Sequence, residues 1–211
     1  MREIKKGNLR FLSRHPVLDQ LAADMANYVS NPIALRKNIN IYVGTHKFRR
    51  IHIRKSGLNL GIQTEQLIDE TGNKMWRKQK KYRTIRDIMR YNRILDLSLS
   101  NSKVYNWLPE IFKSKIDFGP FIFPTDKIAY SKGNIKKTLF YGFMNERRRQ
   151  IINGIEKNII NCCAPDTFGA KLSDEIKDHM GVLNIHFNDG IYSEWPRVLS
   201  AYIHGKPIIS E

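Results

Sequence analysis

From Thr138 to Glu211 short apolar runs alternate with amphipathic stretches, and this alternation confines that part of the chain to a parallel α/β sheet. TLFYGF (138–143), NIINCC (158–163), VLNIHF (182–187) and KPIISE (206–211) read as strands. Between them ERRRQIINGIEK (146–157), AKLSDEIKDHM (170–180) and EWPRVLSAYIH (194–204) read as helices. Asn145 and Ser193 are placed to cap the first and third. Pro196 falls in a first turn, where its missing N–H costs nothing, and Gly205 supplies a stop.

The first part of the chain is read as a second α/β unit. A helix over 16–29 precedes strands at 38–44 and 58–63, and a basic helical stretch at 74–93 leads into a strand at 94–98. A helix over 101–112 and an extended piece at 115–121 follow, then a Pro-containing linker over 120–137. The expectation is α/β with two Rossmann-like domains, residues 1–130 and 131–211.

Charge separates the same two parts. The formal net charge is +16, yet residues 1–137 carry 28 Lys/Arg against 11 Asp/Glu, and residues 138–211 carry 8 against 9. The first unit is therefore expected to meet something anionic. No apolar run reaches the ~18 residues of a membrane span. No apolar region follows the charged MREIKKGNLR, so no secretory signal is read. Adjacent Cys162 and Cys163 suit a reduced interior, and the expected location is cytoplasmic.

Phosphate-loop and dinucleotide fingerprints are missing from the sequence, as is any Cys/His spacing of a zinc site; neither metal nor cofactor is expected. In an open α/β sheet ligands bind beyond the carboxyl ends of the strands. In the second unit those ends lead to NERRR, with Arg147, Arg148 and Arg149 in a helix's opening turn. Cations there oppose the helix dipole, which hints at an anionic partner, although a solvated basic face explains them equally. The ends also lead to His186, Asn188 and Asp189. Within its apolar strand His186 reads first as a core residue. Glu194 and Arg197 share a helical face, so carboxylate and guanidinium point the same way.

These residues carry a resemblance. LNIHFNDGIYSEWPRVLSAYIHGKPIISE is similar to the nucleotide-sugar-binding half of bacterial glycosyltransferases of the two-domain GT-B architecture. It is most like the group of surface polysaccharide biosynthesis related to spore-maturation glycosyltransferases. Asn184, His186, Glu194, Arg197, Gly205, Pro207, Ser210 and Glu211 stand in that group's order. YGFMNERRR resembles the opening strand and basic turn of the same domain, and GIQTEQ (61–66) resembles a strand end of the amino-terminal half. Ser200 departs from the pattern, since many members carry a second Glu there.

The resemblance implies an amino-terminal acceptor-side domain and a carboxy-terminal donor domain that is incomplete at Glu211. It implies a metal-independent, hexosyltransferase-like enzyme moving a sugar from a nucleotide-sugar donor to a glycan or lipid-linked acceptor. Arg148, Arg149, His186, Glu194, Arg197, Ser210 and Glu211 would bind the donor, with Glu194 accepting hydrogen bonds from ribose hydroxyls. An inverting reaction needs a general base. Glu65 at a strand end is the first candidate and His46 in the loop after 38–44 the second; either is also what an ordinary loop carries. The competing expectation is nucleic-acid binding. Residues 74–93 hold nine Lys/Arg and one acid, Asp87, interleaved with Trp76, Tyr82 and Tyr91. The same patch would suit an anionic membrane surface, making the enzyme peripheral there.

Overall fold

A computed structural model describes residues 1–29, 38–68, 81–119, 127–187 and 194–211. It is mixed α/β and divides into two compact units, Met1–Ile122 and Phe123–Glu211.

The first unit holds a six-stranded sheet: β1 (Arg2–Lys6), β2 (Leu9–Ser13), β3 (Ile39–Val43), β4 (Leu58–Gln63), β5 (Arg93–Asp96) and β6 (Ile116–Phe118). The strands lie side by side in chain order. β1 runs antiparallel to β2 and the others are parallel, with Ile39 opposite Leu58 and Val43 opposite Ile62. The β1–β2 hairpin turns at Gly7 and Asn8 inside a segment that the sequence offered only as a charged start. Alternation there is masked, because β1 is a largely exposed edge strand whose outward side chains are Lys, Glu and Arg.

Helix α1 (Pro16–Tyr28) turns Leu18, Leu21, Ala22 and Ala26 inward. Of the basic stretch, α2 (Lys81–Ile88) is the described helix, and residues 74–80 lie outside the described ones. The helix expected over 101–112 is instead a 3-10 segment, Leu99–Tyr105, and a single α-turn, α3 (Glu110–Lys113), because Pro109 cannot continue the first ladder. Leu12, Tyr42, Phe48, Ile88, Tyr91, Ile94, Leu108 and Ile116 form one buried cluster.

The second unit is a four-stranded parallel sheet of β7 (Ile135–Phe140), β8 (Ile160–Cys162), β9 (His179–Asn184) and β10 (Ile208–Ser210). Its spatial order is β10-β9-β7-β8, so the chain steps from β7 to β8 and then crosses back to lay β9 on β7's other side. This reversal opens a crevice between the carboxyl ends of β7 and β9. Helices α4 (Glu146–Asn153), α5 (Gly169–Asp178) and α6 (Trp195–Ile203) follow their strands.

Several expected bounds shift. The strand read at 138–143 lies at 135–140, so residues 135–137 of the expected linker belong to it, and β8 and β10 are shorter than expected. The helix from Glu146 stops before Gly154, and β9 begins at His179, so His179 and Met180 belong to the strand rather than to the preceding helix. Asn145 caps α4, its Oδ1 accepting from Arg148 N at 2.9 Å. Gly205 ends α6 at φ 63°, where a Cβ would stand 2.2 Å from Ala129 O. The expected cap Ser193 lies outside the described residues, and Glu194 stands immediately before α6.

Asp24 on α1 is 6% exposed, and its Oδ1 accepts from Gln20 Nε2 at 2.8 Å. Burial raises its pKa to about 6, with the Gln20 bond working the other way. The folded chain therefore holds this proton to higher pH than the unfolded chain. Its contribution favours folding at the acid end and is lost as pH rises to about 6. Asp24→Asn keeps the acceptor for Gln20 and removes the titration. Urea unfolding on either side of that window should show a flatter pH dependence and a gain of about 2–3 kcal/mol at neutral pH.

Candidate functional site

At the crevice of the second sheet two buried arginines bridge the loops after β7 and β9. Arg197 is 5% exposed and enters from the first turn of α6. Its Nη2 donates to Tyr141 O at 2.8 Å, and its Nη1 donates to Asn184 Oδ1 at 2.7 Å. Arg148, 2% exposed, comes from α4; its Nη1 reaches Phe143 O at 2.7 Å, and its Nε and Nη2 reach Ile185 O at 3.0 and 2.8 Å. Glu194 joins the pair, accepting from Arg148 Nη2 on one carboxylate oxygen and lying 2.9 Å from Arg197 Nη2 on the other. The Phe140 ring lies between, 5.5 Å from the Arg148 guanidinium carbon and 5.3 Å from that of Arg197. Burial lowers the Arg148 pKa to about 10 while Glu194 acts to raise it, so the guanidinium stays charged at neutral pH.

Gly142 makes the close approach possible. It adopts φ 123°, and a Cβ there would stand 2.8 Å from Arg197 Nη2.

A second constellation lies beside the first. Arg147 forms a two-pronged pair with Glu211, Nη1 to Oε1 at 2.8 Å and Nη2 to Oε2 at 2.7 Å, and also donates to His186 O at 3.1 Å. Glu211 Oε1 accepts from His186 N at 2.5 Å, and Ser210 Oγ accepts from Asn184 Nδ2 at 3.0 Å. The Arg147 hydrogen bonds hold Glu211 below its ordinary pKa. Over this floor stand two exposed aromatics, Phe143 (69%) and Phe187 (45%), with ring centroids 6.1 Å apart.

The structure thus gathers Arg148, His186, Glu194, Arg197, Ser210 and Glu211 at one sheet end. Arg149 stays outside the group, paired with Glu146 at 2.7 Å on the exposed face of α4. Each of the three NERRR cations meets a carboxylate of its own unit, Glu211, Glu194 or Glu146. Sequence reasoning named Arg147 with the basic turn but left it out of the donor-binding set, and it passed over the Phe143–Phe187 pair. The signal for the pair was present, since both are strand-end aromatics where the loops begin. Asn188 and Asp189 lie outside the described residues.

In the first unit the two base candidates, taken from loops after neighbouring strands, meet. His46 Nε2 lies 3.3 Å from Glu65 Oε1. β3 and β4 are parallel neighbours, so the loops leaving their carboxyl ends emerge side by side. Asn101, fully buried, holds the Glu65 loop with both ends of its amide: Nδ2 donates to Glu65 O at 2.9 Å, and Oδ1 accepts from Leu67 N at 2.7 Å. Asp96 Oδ1 orients that amide at 2.8 Å, and burial raises the Asp96 pKa to about 7. Burial also lowers the His46 pKa to about 4, helped by Lys47 and His15 and opposed by a hydrogen bond with Gln63. The imidazole is therefore neutral at physiological pH.

Of the residues behind the nucleic-acid expectation, Trp76 lies outside the described ones and Tyr91 is 3% exposed in the core, so Tyr91 offers no stacking face. Arg86 and Arg90 both reach Asp87, at 3.6 and 3.2 Å. Among the described residues no group of three His, Cys, Asp or Glu is placed to hold a metal ion, and no helix is long and apolar enough to cross a membrane. No family model matches this chain, and no curated protein matches it.

Removing Glu194 leaves two buried guanidiniums without their countercharge. Glu194→Ala should lower unfolding stability by about 2–4 kcal/mol, and Glu194→Gln, which keeps one acceptor oxygen, by less. Urea unfolding followed by far-ultraviolet circular dichroism measures both.

Proposed function

We propose that this protein is a glycosyltransferase of the GT-B type, with the first unit on the acceptor side and the second holding a nucleotide-sugar donor. The observation that carries the reading is the contact between His46 and Glu65. A neutral imidazole and a carboxylate share one loop cluster at the carboxyl ends of parallel strands, where an acceptor hydroxyl would need a base. The acceptor hydroxyl gives its proton to this pair as its oxygen bonds to the anomeric carbon. The bond from that carbon to the nucleoside diphosphate breaks, and its electron pair leaves on the phosphate oxygen. The acceptor is a glycan or a lipid-linked chain.

In the second unit the donor lies over the β7–β9 crevice. The base stacks on Phe143 and Phe187, and the ribose hydroxyls donate to the Glu194 carboxylate. A carboxylate has about four lone-pair sites, so its two ion pairs leave some for the ribose. Arg147, about a quarter exposed, is more open to solvent than Arg148 or Arg197 and takes the leaving diphosphate by exchanging its pair with Glu211. The buried Arg148 and Arg197 set the positive field beneath. The enzyme works in the cytoplasm, touching the membrane where its acceptor is lipid-linked.

Transfer assays with a panel of nucleotide sugars and polysaccharide or lipid-linked acceptors test the reaction. His46→Gln and Glu65→Gln should each lower kcat by about 10²–10⁴-fold with little change in KM for the donor. Wild-type rates in both variants would remove the pair from the chemistry. Donor binding is tested separately by titrating nucleoside diphosphates: Phe143→Ala with Phe187→Ala should weaken binding by about 1–3 kcal/mol per lost stack.

A further inference from the structure

Beside His46 the first unit has an open pocket of about 500 Å³, lined by Arg14, His46, Lys47, Arg49, Ile51 and His52. Five of these six side chains are basic. None of the ion pairs among the described residues of this unit engages Arg14, Lys47 or Arg49, and Glu65 pairs with His46. The acceptor that the structure gives Arg14 outside the His52 ring is Lys47 O, at 3.5 Å.

The His52 ring is in contact with the Arg14 guanidinium. Its Nδ1 accepts from Arg49 N at 2.8 Å, so the neutral imidazole carries its proton on Nε2. Arg14 Nη1 stands 2.7 Å from that Nε2 and 2.9 Å from Nδ1. A guanidinium has five N–H donors, and these contacts use Nη1 alone, so the remaining Arg14 donors can meet an oxygen anion in the pocket. The cations also act on the ring: with burial, Arg14 and Arg49 hold the His52 pKa below its ordinary value.

We propose that Arg14, Lys47, Arg49 and His52 form a binding site for a phosphate or diphosphate group. Resting on the glycosyl-transfer reading above, this group belongs to the acceptor, whose hydroxyl is thereby brought to His46 and Glu65. Arginine forks and a histidine N–H suit the several oxygens of a phosphoryl group better than a single carboxylate. Ile51, 84% exposed on the rim, sets an apolar surface beside the charge. A lipid-borne diphosphate and a water-soluble phosphate ester share the recognised group, and the test separates them.

The full chain is titrated calorimetrically with inorganic pyrophosphate, and sedimented with phosphatidylcholine vesicles with and without phosphatidic acid. Three proteins are compared: wild type, Arg14→Gln/Arg49→Gln, and Lys103→Gln/Lys113→Gln. The last removes the same charge from positions of the same unit that do not line the pocket. The pocket variant should bind pyrophosphate roughly ten- to a hundredfold more weakly, with the control close to wild type. All three should show the same melting temperature within a few degrees, since Arg14 and Arg49 are exposed. Loss of vesicle binding in the pocket variant as well assigns a lipid source, and loss confined to pyrophosphate assigns a soluble one. Equal affinities in the two double variants would overturn the site, leaving only diffuse attraction to a basic unit. If pyrophosphate binding depends on Arg14 and Arg49 while no nucleotide sugar is consumed, the anion site stands and the glycosyl-transfer reading falls. Sugar transfer that survives intact in a pocket variant with unchanged pyrophosphate affinity reverses that result.

Discussion

Two guanidiniums buried in the β7–β9 crevice, with one carboxylate between them, are what the second unit depends on. Charges so far from water are tolerated only when countercharge and hydrogen bonds replace the lost hydration. Arg148 and Arg197 obtain both, using Glu194, the Asn184 amide and the carbonyls of Tyr141, Phe143 and Ile185. These carbonyls sit just past the ends of β7 and β9, where the ladder no longer supplies partners. The arginines thus finish the backbone hydrogen bonding of two strand ends while welding the loops that any ligand would meet.

That arrangement changes what a cation at the sheet end can be taken to mean. A basic turn at a helix start looks like an empty anion site in one dimension. In three dimensions its partners were Glu194 and Glu211, on segments that come much later in the chain. The buried pair is a frame, and the groups left open beside it are the Phe143 and Phe187 rings and the part-exposed Arg147–Glu211 pair. The first unit shows the reverse. Its pocket cations beside β2 and β3 have no carboxylate partners among the described residues, and the field there is uncompensated. One chain therefore carries two kinds of basic cluster, neutralised in the second unit and open in the first.

The meeting of His46 and Glu65 in the first unit rests on parallel pairing. Because β3 and β4 run in register, loops separated by a whole crossover leave the sheet at the same edge, and His46 meets Glu65. Asn101 and Asp96 then fix the Glu65 loop through bonds that are buried and so strongly felt.

Periodicity alone determined most of the elements: α1, β3 and β4, and the strand–helix succession after Thr138, because burial on one face imposes its period on local composition. The Asn145 cap and the Gly205 stop were also legible, each needing only a side chain or a φ that acts within a turn. Elements whose form is decided elsewhere were not. The β1 edge strand carries too little burial to alternate visibly, Pro109 split an apparent helix, and β9 took residues that matched the preceding helix. The site divides along the same line. His46, Glu65, Glu194 and Arg197 could be nominated because strand ends and helix starts are local features. Which cation would be buried, which carboxylate would face it, and which loops would touch were set by strand order. Only the assembled sheet brings together residues more than forty positions apart, such as Arg148 and Glu194, and decides how much water lies between them.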